Sequence, residues 1–290
     1  MKKAFLQLHV AVFLAGFTGI LGRLITLNEG LLVWYRLLFT TITLWILFYF
    51  SKKIQRISPA DFGKIFCVGA IAALHWVTFY GSIKYSNVSV ALVCFSAIGF
   101  FTAILEPVIL RKRFNVVEGL LSLVAIAGIA LIFHFDPRYK TGIIIGIISA
   151  LLASLFPIFN RRFVQRMSAE TVTLYEISSG FIFLTILLPF YLHYFPASHF
   201  LPSLSDLGWL LVLSWFCTVL SFNLAMNALR KISAFTVNLS YNLEPLYGIA
   251  LAFLVYREDK LLTGAFYIGL LLIVLSVVMQ TLLVYRLAKK

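Results

Sequence analysis

Three ionisable side chains stand inside long apolar stretches of this sequence. Glu244 is followed at once by Pro245, His75 lies in a second apolar stretch, and Arg36 lies in a third. If these stretches cross a membrane, each charge costs a few kcal/mol, which makes each residue a candidate for a functional role. A carboxyl and an imidazole at the middle of a bilayer could bind a polar group of a ligand or carry a coupled proton.

Each of these residues also has a structural interpretation. Glu244 could bond a neighbouring helix or the carbonyls that Pro245 leaves free, and His75 could hydrogen-bond between helices. Arg36 could orient an anionic group such as a carboxylate with its planar fork, or extend to the membrane surface. Because Glu176 is expected at a different depth from Arg36, a direct pair between these two is not expected.

The elements that must position these residues are apolar helices. Hydrophobic residues make up 61% of the 290 residues and charged residues only 12%, with a mean hydropathy of +0.98. Soluble proteins are about half apolar and about a quarter charged. Since a bilayer core of about 30 Å needs about 20 mostly apolar residues per helix, the sequence predicts an all-α membrane protein. Ten transmembrane helices are expected, at residues 4–22, 31–50, 64–84, 88–110, 115–135, 142–160, 170–191, 206–229, 233–256 and 262–285.

The positive charges are distributed as a topology signal. The net charge of +13 would suggest nucleic-acid binding in a soluble chain, but here the lysines and arginines stand in short clusters between apolar stretches. With ten helices, 17 of the 24 lysines and arginines fall on the side that holds both termini. The positive-inside rule therefore predicts a multi-pass protein of the bacterial inner membrane with both termini in the cytoplasm and no nucleic-acid partner.

Motifs for metal, nucleotide or covalent chemistry are absent from the sequence. Cys67, Cys94 and Cys217 lie far apart in apolar stretches, which favours packing over a metal site or a disulfide. No Walker sequence, no Gly-x-Ser-x-Gly elbow and no His-Glu-x-x-His motif occurs. We expect neither a cofactor nor an enzymatic activity.

The sequence contains a weak internal repeat. Residues 75–86 align without gaps with residues 221–232, and Tyr35-Arg36 resembles Tyr175-Glu176. Five helices per repeat is an odd number, so the second repeat must cross the membrane in the opposite sense to the first. Such inverted repeats are typical of transporters, whose substrate site lies where the halves meet. The predicted repeats are residues 1–138 and 139–290.

Three segments of the chain resemble the EamA group of the drug/metabolite transporter superfamily. Residues 34–38 resemble the start of its second helix, residues 228–234 the end of its eighth, and residues 244–258 its ninth helix and the acidic turn that follows. The first half departs from the pattern, since Phe100 stands where a proline is expected and Arg113 replaces the acidic turn residue. The resemblance implies movement of amino acids, other metabolites or drugs by alternating access.

Aromatic and amide side chains could complete the site. Asn223 and Asn227 share one face of the eighth helix at i, i+4, and a wall of aromatic rings would suit an amphipathic ligand. In a sequence with 16% aromatic residues, these rings could equally serve packing. The predicted substrate-binding set is His75, Glu244, Trp76, Phe79, Tyr80, Arg36, Asn223, Asn227 and Tyr241.

The function predicted from these features is secondary transport. We expect a monomeric or homodimeric protein of the lipid bilayer that exports a small amphipathic or zwitterionic metabolite, such as an amino acid, by alternating access. Exchange of phosphorylated metabolites or nucleotide sugars is an alternative, although it would call for several cationic groups and Arg36 is the one arginine well within a helix. A channel or a membrane scaffold without transport activity is the other alternative.

Overall fold

The structure of the protein is a computed structural model that describes residues 2–52, 54–111, 113–135, 137–241 and 243–288. Within these residues the regular secondary structure is helical throughout. We call α1 to α5 the first half and α6 to α11 the second half. The helices are α1 Lys2–Leu24, α2 Glu29–Phe50, α3 Pro59–Tyr85, α4 Val88–Leu110, α5 Val116–Phe135, α6 Lys140–Val164, α7 Ala169–Tyr194, α8 Leu204–Leu229, α9 Ala234–Tyr241, α10 Glu244–Tyr256 and α11 Gly264–Ala288.

Many of these helices are suited to a membrane. Seven of them, namely α1 to α4 and α6 to α8, are long and apolar enough to cross a bilayer within the described residues. Shorter apolar helical segments occur at Gly119–Leu131, Glu244–Tyr256 and Gly264–Ser276. The number of ten spanning helices therefore stays a prediction, which depends on α5, on α9 and α10 taken together, and on α11.

Side-chain caps fix where several helices begin. Asn28 Oδ1 accepts a hydrogen bond from Leu31 N at 2.9 Å, and Asn87 Oδ1 accepts one from Val90 N at 2.8 Å. Ser58 accepts from a backbone N–H in the same way, and Pro59 occupies the first helical position, where a missing N–H costs nothing. The third helix consequently begins five residues before the predicted position of 64.

Four of the predicted helices are interrupted or distorted near their middle. The predicted helix 233–256 is two helices, because α9 ends at Tyr241 and α10 begins at Glu244. Pro245 lacks a backbone N–H and suits the first turn of a helix, so Glu244 opens a helix instead of standing inside one. The others are a break at Phe17 in α1, a break at 96–97 in α4 and a π-helical turn at 215–220 in α8.

Small residues allow the two halves to pack closely. A side chain on Gly69 of α3 would meet the carbonyl of Glu176 in α7, and one on Gly180 would meet the carbonyl of Gly69. The same applies to Gly128 of α5, whose missing side chain leaves room for the Gly269 carbonyl of α11. Small residues at such crossings let backbones approach closely in membrane proteins.

Candidate functional site

A cavity lies between the two halves, at the level of the helix interruptions. Its wall is formed by α1 to α4, α6 and α8 to α10. The cavity volume is about 80 Å³, well above the roughly 10–15 Å³ that a single water molecule needs on the same measure. Aromatic side chains make up much of the wall, namely Trp76, Phe79, Phe95, Phe156, Phe222 and Tyr241.

Arg36 brings a buried positive charge to this cavity. Its side chain is buried, its Nε donates to Thr218 Oγ1 at 2.8 Å and its Nη1 donates to the Tyr80 hydroxyl at 2.9 Å. The guanidinium lies 4.3 Å from the centre of the Trp76 ring, a favourable cation–π contact. Nη2 has only a 3.5 Å contact with the Cys217 carbonyl. One edge of the guanidinium is therefore weakly engaged.

Glu244 brings a negative charge to the same cavity from the other half. Its side chain is buried at the first turn of α10, where a carboxylate is stabilised by the positive end of the helix. Arg36 and Glu244 line the same cavity. Among the described residues, however, no ion pair joins these two, and no side chain or backbone group donates a hydrogen bond to the Glu244 carboxylate.

His75 is oriented by α6. Its Nδ1 lies 3.0 Å from the Ser149 carbonyl oxygen and 2.9 Å from Ser149 Oγ, while Ser149 Oγ is 3.1 Å from the His75 carbonyl oxygen. A carbonyl only accepts hydrogen bonds, so Nδ1 carries the proton and donates it. This contact fixes the plane of the imidazole and joins α3 to α6 across the two halves.

The imidazole and its neighbours form an aromatic box. The centre of the His75 ring lies 5.6 Å from that of Phe95, 5.8 Å from Phe156 and 6.1 Å from Phe79. Phe222 continues the wall, with its ring centre 6.2 Å from Phe156. These separations are usual for packed aromatic pairs. The box gives the cavity an apolar lobe beside its two charges.

The structure brings most of the predicted binding residues together. Arg36, His75, Trp76, Phe79, Tyr241 and Glu244 all line the cavity. Tyr80 is not part of the lining, but it stands behind Arg36 and accepts its hydrogen bond.

The paired asparagines of α8 are placed differently. Asn227 Nδ2 donates to Asn223 Oδ1 at 2.8 Å and to the Asn223 carbonyl at 2.9 Å, so the two amides mainly satisfy each other. Neither lines the central cavity. Asn227 lies instead in a separate polar cavity of about 500 Å³ with Lys3, Gln7 and Arg230. Their shared helix face was predicted from the i, i+4 spacing, which does not reveal which neighbour that face meets.

One polar side chain of the second half, Asn160, was missed from the sequence. Asn160 lines the cavity, and its Nδ2 donates to Glu176 Oε2 at 2.7 Å in a buried contact. Asn160 precedes Arg161-Arg162. Because it stands beside these charges, the sequence pattern indicates a polar helix end and not a cavity residue. The available signal was an amide in an apolar helix, since such a group needs partners.

Comparisons with known proteins agree with this architecture. The family model described as the EamA-like transporter family matches residues 2–134 and, a second time, residues 140–282. A solved crystal structure of a protein with 17% identity matches with a TM-score of 0.70 and covers 99% of this chain and 99% of that chain. At that identity the likeness shows the fold alone. No curated protein matches the sequence.

Proposed function

Because the chain belongs to the EamA-like transporter family, whose members carry small molecules across membranes, we propose that its substrate is a small zwitterion such as an α-amino acid with an apolar side chain. The substrate binds in the central cavity, and the two halves move around it by alternating access. Ten helices cross the bacterial inner membrane, with both termini in the cytoplasm.

The observation that carries this proposal is the pair of separate opposite charges on one cavity wall. Arg36 and Glu244 are both buried, yet the ion pairs among the described residues do not join them. Taking charges out of water costs several kcal/mol per ion unless a partner compensates. A zwitterion supplies both partners, since its carboxylate suits the open edge of Arg36 and its ammonium group suits Glu244.

The rest of the cavity favours the same class of ligand. The aromatic box around His75 offers an apolar lobe for a side chain. A phosphate ester needs several cationic groups, and Arg36 is the only arginine or lysine among the described residues that line the cavity. The phosphorylated-metabolite alternative is therefore disfavoured.

Binding of blocked amino acids tests the proposal directly. Purified protein in detergent is titrated with L-leucine, with leucinamide, which lacks the carboxylate, and with N-acetyl-leucine, which lacks the ammonium group. We expect Arg36→Gln to weaken the binding of L-leucine strongly and that of leucinamide very little. We expect Glu244→Gln to weaken the binding of L-leucine strongly and that of N-acetyl-leucine very little. Equal losses for all three ligands in both variants would contradict the assignment. So would competition by sugar phosphates that exceeds competition by amino acids.

The topology has its own test. A cysteine placed at Ser198, in the connection between α7 and α8, should react with a membrane-impermeant reagent added outside the cell, because residues 192–205 contain no lysine or arginine. A cysteine at Lys64, near the start of α3, is the matched control and should be protected. The reverse pattern would overturn the orientation and the inverted arrangement of the repeats.

A further inference from the structure

A second buried carboxyl lies beside the cavity wall, and only one of its two oxygens accepts a hydrogen bond. Glu176 of α7 and Asn160 of α6 are both buried. Asn160 Nδ2 donates to Glu176 Oε2 at 2.7 Å, while the other two oxygens, Glu176 Oε1 and Asn160 Oδ1, have no hydrogen-bond partner among the described residues. Buried polar atoms are nearly always bonded, so two orphaned oxygens in one pair call for an explanation.

Both orphaned oxygens are acceptors, and each therefore lacks a donor. A carboxylate and an amide carbonyl cannot bond each other, but a protonated carboxyl has one O–H to donate. One proton on Glu176 Oε1 gives that oxygen a hydrogen to donate, and Asn160 Oδ1 is the unfilled acceptor of the same pair. The protonated acid is also neutral, which removes the cost of a buried charge.

Among the described residues, no ion pair joins a cation to Glu176. Its hydrogen bond comes from the neutral amide of Asn160. On the helices packed against α7, Arg36 bonds Thr218 and Tyr80, His75 bonds Ser149, and Asp61 bonds Ser58. Glu29 of α2 accepts a hydrogen bond from Tyr191, which lies about four turns farther along α7 than Glu176. Arg161 donates to the carbonyls of Leu229 and Ile232, and Arg162 donates to the carbonyl of Ile109. Lys64 of α3 is exposed, and the neighbouring Tyr175 packs its ring against Trp45 and Phe62.

We propose that Glu176 and Asn160 form a proton-binding site in the cavity wall, and that this proton, and not one on Glu244, couples transport to a pH gradient. Asn160 lines the cavity, so water there can deliver a proton to Glu176 Oε1 and take it back as hydronium. Glu244 is left to hold the ammonium group of the substrate. The coupling part of the proposal rests on the proposed transport function, whereas proton binding does not.

The packing of α7 explains how the proton can act on the fold. The Glu176 carbonyl lies where a Cβ on Gly69 would be 2.3 Å away, so the α7 backbone is held against α3 at this residue. Movement of the carboxyl toward water therefore requires its other neighbour, α6, to move away from α7. Loss of the proton leaves a buried carboxylate with a single donor, which favours a conformation in which α6 and α7 part and admit water.

Infrared spectroscopy tests proton binding without any substrate. The spectrum of the wild type minus that of Glu176→Gln, recorded at pH 7 in detergent, should show the carbonyl band of a protonated carboxylic acid, shifted in D₂O. Asp61→Asn is the control and should show carboxylate bands. Carboxylate bands for Glu176 would overturn the proposal. If Glu176→Gln does not fold, Asn160→Ala should move the acid band to higher frequency because Oε2 loses its donor, and an unmoved band would likewise overturn it.

Transport in proteoliposomes tests the coupling. With one proton per substrate, a gradient of one pH unit drives about tenfold accumulation of L-leucine. Glu176→Gln should lower this accumulation ratio to about one while leucine counterflow continues, and Glu244→Gln should raise the leucine KM yet keep the gradient-driven ratio. Gradient-driven accumulation by Glu176→Gln, or its loss in Glu244→Gln alone, would refute the assignment. Failure of the wild type to bind leucine would count against the proposed substrate and would leave the infrared result standing.

Discussion

Two arginine–glutamate combinations have their members in opposite halves of this protein, and they differ in how completely the protein satisfies their charges. Glu258, in the turn after α10, is fully buried and pairs with Arg23 of α1. It also accepts hydrogen bonds from Ser89 N at 2.8 Å, Ser89 Oγ at 2.6 Å and Val88 N at 3.2 Å. In this way it ties the start of α4 to the second half.

The second combination, Arg36 with Glu244, has a buried glutamate like the first but is left open. Arg36 binds neutral partners of the protein, and among the described residues no ion pair joins it to Glu244. The contrast teaches that residue type and burial do not separate a structural charge from a binding charge. What separates them is whether the protein itself supplies the opposite charge and the donors.

The largest expected effect is on stability at Glu258. Glu258→Ala should lower the free energy of unfolding by about 3 kcal/mol, because it leaves Arg23 and two backbone N–H groups at the start of α4 without their acceptor. Unfolding by SDS from mild detergent micelles measures this loss. Leucine binding by the folded fraction should change little. If Glu258→Ala lost leucine binding but kept its stability, Glu258 would be a binding residue and the distinction between the two pairs would be wrong.

At Arg36 the expected effect is on binding. Arg36→Gln should weaken the binding of L-leucine roughly 10- to 100-fold, since a charge-assisted hydrogen bond contributes about 1.5–3 kcal/mol. Titration of the purified protein gives this value. Arg36→Lys is the matched control, because it keeps the charge but loses the fork, and it should recover only part of the affinity. Unchanged leucine binding in Arg36→Gln would remove Arg36 from the site.

The same substitution at the two glutamates should act in opposite directions. Glu258→Gln should lower stability, whereas Glu244→Gln should leave it unchanged or raise it by up to about 1 kcal/mol, because a neutral amide replaces a buried carboxylate that has no donor. Leucine affinity should fall about tenfold in Glu244→Gln. The two variants are compared by unfolding under identical conditions. Equal destabilisation of both would show that Glu244 is a structural residue.

The smallest expected effect is at the exposed side of the satisfied pair. Arg23 is 37% exposed, and its guanidinium also lies 4.3 Å from the centre of the Tyr256 ring. Arg23→Lys keeps the ion pair and weakens this stacking, so it should cost about 0.5–1 kcal/mol of unfolding free energy. Tyr256→Phe retains the ring but removes the hydroxyl that donates to the Ile20 carbonyl, and it should cost about 1 kcal/mol. If Arg23→Lys lowered the free energy of unfolding as much as Glu258→Ala, the stabilisation by this pair would come mainly from the contacts of the guanidinium group.

The sequence by itself determined the class of the protein and most of its helices. Apolar length and the scarcity of charge are local properties, and a bilayer imposes one length on every spanning helix, so the predicted helices 88–110 and 206–229 coincide closely with α4 and α8. The cost of a charge in the bilayer also identified Arg36, His75 and Glu244 before any contact was known.

Only the tertiary structure decided which of these groups face one another. Helical spacing gives the face of a residue on its own helix, but the rotation and depth of that helix depend on its neighbours. The break between α9 and α10 placed Glu244 at a helix start, and packing at Gly69 set the position of α7. The same cause placed Asn160 beside Glu176. The cavity arises from contacts between the halves, which no single stretch of sequence contains.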